Sequence, residues 1–196
     1  MIMDIQRIGS LIGCLSSIVF TLSWSLSALL WGDWVLGSNS LSDIGICGVE
    51  SAEFVFNMGC IVTGILVFFL ALALIRDNDR WFRLSGYTAF VSGVACLLVG
   101  IVTEDHNDLH NIVAGTYGAF AAATIALSAI GDYVEGRRWL TFIAAAMLIL
   151  CGISSIVHPF GVFEPIGVSC ILIWTFILSA TLYIKNVKKG VSADDH

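Results

Sequence analysis

Six stretches of this chain, each close to 20 residues long and continuously apolar, leave few folds open to it: residues 8–31, 54–75, 84–102, 106–130, 139–157 and 166–184. At about 1.5 Å per helical residue, such a length matches the hydrocarbon thickness of a bilayer. Lipid offers no water to backbone N–H and C=O groups, so a spanning segment satisfies them within a helix or around a closed barrel. Barrel strands run about 10 residues and alternate apolar with polar positions, and these stretches do neither. The expected fold is an all-α integral membrane protein, a bundle of six transmembrane helices. Composition agrees, with 58% hydrophobic and 12% charged residues against roughly 45–50% and 25% in soluble domains. Residues 1–190 read as one transmembrane domain and 191–196 as a short polar tail. The first apolar run is too long for a signal peptide, and no small-residue cleavage site follows it, so it is read as a retained helix.

The basic residues set the expected orientation. Arg7, Arg76, Arg80, Arg83, Arg137, Arg138, Lys185, Lys188 and Lys189 all fall at the termini or in the second and fourth loops. Short loops rich in Lys and Arg stay in the cytoplasm. Both termini are therefore expected inside, with the first, third and fifth loops facing out of the plasma membrane. Those outward loops hold Asp33, Asp43, Glu50, Glu53, Glu104, Asp105, Asp108 and Glu164. A net charge of −6 argues against nucleic acid and leaves membrane lipid as the expected partner. Six scattered cysteines form no CxxC pair, so no disulfide or thiolate-metal framework is implied. Gly86, Gly93 and Gly100 recur every seven residues, and Gly9 and Gly13 form a GxxxG, patterns that suit close helix contact.

The densest polar stretch, Thr103-Glu104-Asp105-His106-Asn107-Asp108-Leu109-His110-Asn111, sits between two apolar runs. Polar groups at a membrane boundary are costly unless hydrated, paired or metal-bound. His106 and His110 are spaced i, i+4, which on one helix would aim both imidazoles the same way. With His158 from the fifth loop, the three could ligate a divalent ion such as zinc. Asp43, Glu104 and Glu164 would then act as acid, base or supporting groups, with Ser42 as hydrogen-bond partner or nucleophile. Each feature also has a plainer reading. Asp105 can cap the fourth helix with Asp108 at N3. The Ser40–Asp43 run can be a local turn. His158-Pro159 can simply end a helix. No ionisable side chain lies mid-span, so the pattern suggests a vestibule and not a path through the bilayer.

Several of these residues resemble one family. Ser40-Leu41-Ser42-Asp43-Ile44-Gly45, then Phe56-Asn57-Met58-Gly59 and Gly64, is similar to the S-x-S-D-L-G … F-N-x-G pattern of domain-of-unknown-function family 998. Gly161-Val162-Phe163-Glu164-Pro165 followed by Trp174 resembles its G-L-x-E-R … W closing segment, with Pro165 where the family often has a basic residue. His110 followed by Ala114 is similar to its fourth-span H-x-x-x-A. The resemblance implies a helical integral membrane protein, gives weight to Asp43, Asn57, His110 and Glu164, and implies no reaction. A looser likeness is to membrane hydrolases of the alkaline ceramidase type, which place an H-x-x-x-H pair, another His, a Ser and an Asp around zinc.

Two functions from different classes follow. One is metal-assisted hydrolysis of a lipid or envelope amphiphile, with His106, His110 and His158 as ligands and Asp43 or Glu104 assisting water. The other is non-enzymatic binding of a lipid or solute, as a transporter component or on its own, which predicts an apolar cleft between spans. A third, purely structural partner-binding role predicts an exposed glycine face on the third span.

Overall fold

Every apolar run forms one helix: α1 (Ile5–Trp31), α2 (Glu50–Ile75), α3 (Arg80–Ile101), α4 (Asp108–Val134), α5 (Arg138–Val157) and α6 (Phe160–Asp194). The computed structural model describes residues 5–194, with the side chains of α6 described to residue 188. All six helices are long and apolar enough to cross a membrane, α6 over Phe160–Lys188. Two short 3-10 turns, Ser42–Ile46 and Glu104–His106, occupy the first and third connections. Helices alternate in direction, so both turns lie at one end of the bundle, the acidic end, and the basic residues lie at the other. The expected polar tail starts within α6, which continues past Gly190 to Asp194; residues 195–196, including His196, lie outside the described residues.

The glycine patterns mark the closest seams. A Cβ added at Gly86 would lie 2.7 Å from the backbone nitrogen of Ile75, and one at Gly93 3.1 Å from the Gly64 carbonyl. The stripe on α3 is thus buried against α2, and the exposed glycine face that a partner-binding bundle would show is absent among the described residues. In α1, Gly9 approaches Phe69 and Ala73 as tightly. Trp174 of α6 fills the centre, 1% exposed, and its indole N–H donates to Ser128 Oγ at 2.9 Å. The fully buried Phe82, Leu74 and Leu140 belong to the same apolar core cluster. α5 is the peripheral helix: 17% of its spanning window is buried, against 44% for α2 and α3.

The basic end is closed by charge. Asp79 caps α3, accepting from the backbone N–H groups of Trp81 at 2.7 Å and Phe82 at 3.2 Å. Lys185 of α6 donates to Asp77 at 2.9 Å and to Glu135 at 2.5 Å. Arg137 bonds Asp132 at 2.6 Å and also pairs with Glu135. Lys185 and Arg137 both lie over the Phe82 ring, at 4.8 and 5.5 Å. This network ties the second and fourth loops to α6 through side chains that sequence spacing alone does not bring together.

Candidate functional site

At the acidic end, the first loop folds on itself before it meets anything else. The Ser40 N–H donates to Asp43 Oδ2 at 2.7 Å, and the Asp43 N–H donates to Ser40 Oγ at 3.0 Å. This reciprocal pair is a capping box, which starts the 3-10 turn. The local-turn reading of Ser40–Asp43 therefore holds. Asn57 in α2 donates to the Gly45 carbonyl at 3.0 Å, and the Trp34 indole donates to the Ser40 carbonyl at 2.9 Å.

α6 supplies the second anchor. Glu164 accepts from the Leu41 N–H at 2.6 Å, from the Ser42 N–H at 3.4 Å and from Ser42 Oγ at 2.7 Å. A carboxylate here answers the unpaired N–H groups that begin a helical turn. Pro165 adds to the anchor. It has no N–H, so the carbonyl four residues back, that of Gly161, loses its helical donor. The Gly37 N–H takes that place at 3.2 Å. Only glycine fits at 161, because a Cβ there would lie 2.9 Å from the Asn39 carbonyl oxygen. Residues 160–165, expected as a loop, are helical for this reason, and only His158 and Pro159 separate α5 from α6.

The third loop completes the cluster. The Glu104 carboxyl lies near enough to Asp43 for the two to interact, and its Oε2 is buried without a hydrogen-bond partner. Burial, and then the Asp43 carboxylate, push the Glu104 carboxyl up from its ordinary 4.5 to about 7. Glu164 is near enough for its charge to be felt at Glu104, and His110 near enough to be felt at Glu164. His110 is 4% exposed. Its Nδ1 lies 2.6 Å from the Val102 carbonyl, which can only accept, so Nδ1 carries the hydrogen. In the neutral ring Nε2 is then a bare acceptor, and it is buried without a partner.

The structure thus groups Asp43, Glu104, Ser42 and Glu164 with His110. It does not bring His106 and His158 to them. The i, i+4 argument fails because α4 begins at Asp108, after Asn107 turns the chain at a φ of +41°. His106 belongs to the preceding 3-10 turn, where its exposed ring meets Asp105 at 3.1 Å. His158 is exposed at the end of α5. Among the described residues no group of three or more His, Cys, Asp or Glu side chains is placed to hold a metal ion. Asp105 does not cap α4 either; its carboxylate is engaged by Thr103 and His106.

Behind Ser42 and Glu164 a cavity of about 350 Å³ opens between the helices. Its wall is mostly apolar and includes Phe56, Gly115, Gly118, Leu148, Phe163 and Gly167, and among the described residues Glu164 is its one charged member. A Cβ at Gly115 or Gly118 would meet nothing within 4 Å. These two glycines, unlike those of α3, face open space. A sequence shows such glycines but not whether a neighbour fills the room beside them.

The family described as "Protein of unknown function (DUF998)" matches residues 14–181. The chain belongs to the DUF998 family. The match covers most of the chain, from within α1 into α6, and takes in the first-loop turn, Asn57, His110 and Glu164. No curated protein and no solved structure matches this DUF998 protein, so the looser likeness to alkaline ceramidases gains no support.

The raised titration of Glu104 gives the DUF998 protein a pH dependence. In the unfolded chain Glu104 titrates near 4.5, and in the fold near 7. Below 4.5 both states hold the proton. Between the two values only the folded state does, so stability falls as pH rises and levels off above 7. Because Glu104 keeps part of its surface in water, the expected loss is on the order of 1 kcal/mol. Thermal unfolding in detergent should give a higher midpoint at acidic than at mildly alkaline pH, and Glu104→Gln should flatten that slope.

Proposed function

We propose that this protein binds an amphiphile whose apolar part occupies the cavity and whose polar head lies at Ser42, Asn111 and Glu164, on the outward side of the membrane. The observation that carries this reading is the open space beside Gly115 and Gly118. A volume of about 350 Å³ falls within the roughly 300–1,000 Å³ of small-molecule sites. The cavity's mostly apolar wall and its size suit an acyl chain. The Lys and Arg bias supports the outward placement of its mouth.

A second reading, hydrolysis within the bound amphiphile, draws on Ser42 Oγ lying 2.7 Å from Glu164, within reach for a nucleophile and its base. Metal assistance would draw on His110 Nε2, with His106 and His158 moved from their present places. Turnover of a bound ester, as opposed to its retention, separates this reading from the first.

Photolabelling tests the binding role. A dodecyl diazirine should label the purified protein, and Gly118→Phe, which fills the cavity, should cut labelling to background while the thermal midpoint is kept. Equal labelling of both proteins would count against the cavity as the site.

A further inference from the structure

The charges around the cavity mouth are one-sided. Among the described residues, Glu164 of α6 is the one charged member of the cavity wall, with Ser42 and Asn111 beside it, and Asp43 and Glu104 lie near it at the same end of the bundle. The described Lys and Arg side chains lie at the other end of the bundle, roughly 30 Å away along helices that rise about 1.5 Å per residue. A phosphate or carboxylate head would meet the Glu164 carboxylate and no Lys or Arg side chain. The site is also short of donors. A carboxylate has about four acceptor positions, and the three donors on Glu164 leave one free at the cavity wall.

We propose that the head group this site takes is a protonated amine, so that the bound molecule is a lipophilic amine held by the Glu164 carboxylate at the cavity wall. The proposal rests on the cavity reading above and names its ligand class. An ammonium supplies up to three N–H donors and the positive charge that the acidic end lacks. Its cost of leaving water is offset by Glu164 in surroundings of low dielectric. A neutral alcohol would supply one donor and no charge.

Competition against the dodecyl diazirine label, in an uncharged detergent at neutral pH, tests this with dodecylamine, dodecanol and dodecanoic acid as probes. Dodecylamine should compete at a concentration about tenfold below that of dodecanol, and dodecanoate should compete least. Glu164→Gln keeps an acceptor for the first loop and should remove the advantage of the amine while dodecanol still competes. Should that variant fail to fold, Glu104→Gln, outside the Glu164 anchor, should shrink the advantage. Equal competition by amine and alcohol, stronger competition by dodecanoate, or an advantage unchanged in a folded variant would overturn the amine assignment alone. Competition by none of the three would overturn the cavity reading with it.

Discussion

Lys185→Met is expected to lower stability by about 3–5 kcal/mol, the usual consequence of removing one partner from a buried ion pair. Lys185 is the cation shared by Asp77 and Glu135, and the Asp77 side chain is 1% exposed. Methionine keeps much of the side-chain volume, so the loss reports the charge. Asp77 would be left buried with its remaining bond to the Asp79 N–H. The effect should appear as a lower thermal midpoint in one detergent at one scan rate. Adding Asp77→Asn to Lys185→Met should cost less than the two single changes summed, because the orphaned charge is then gone. Additive losses would mean that the pair contributes little at this end.

Glu164→Ala is expected to free the first loop from α6 at a cost of about 2–4 kcal/mol. Three donors lose their acceptor, at roughly 1–3 kcal/mol for each that stays buried; the Ser42 hydroxyl can turn to another partner, which trims the total. The local signature is more telling than the midpoint. Amide exchange should rise over residues 37–46 and stay unchanged in α2 and α3. Glu164→Gln should fall between alanine and the natural residue, since its amide oxygen still accepts. Unchanged exchange in the alanine variant would show that Asn57, Trp34 and the Gly37–Gly161 bond hold the loop without Glu164.

The six helices were legible because length and uniform apolarity need no knowledge of neighbours: each run had to satisfy its own backbone. The glycine stripe of α3 was legible for a similar reason, as its heptad spacing points one way from any helix. The histidine argument failed at a single residue. His106 and His110 share a helix face only if the helix runs through both, and Asn107 breaks it between them. Pro165 misled in the opposite direction. A proline ordinarily marks a boundary, yet here the carbonyl it frees finds a donor in Gly37. That partner lies more than a hundred residues away, beyond any local pattern. Asp43, Glu104, Ser42, Glu164 and His110 were readable as residue types at one end of the bundle; the closeness of Asp43 to Glu104, and the open volume beside Gly118, depend on distances that only the folded chain supplies.

The binding account is tested most directly by mapping where the dodecyl diazirine attaches to the natural protein, by peptide sequencing after labelling in native lipid. It predicts adducts concentrated on the cavity-facing stretches of α4 and α6 around Gly115, Gly118, Phe163 and Gly167. Adducts spread over the lipid-facing side chains of α5, with none on those stretches, would contradict it.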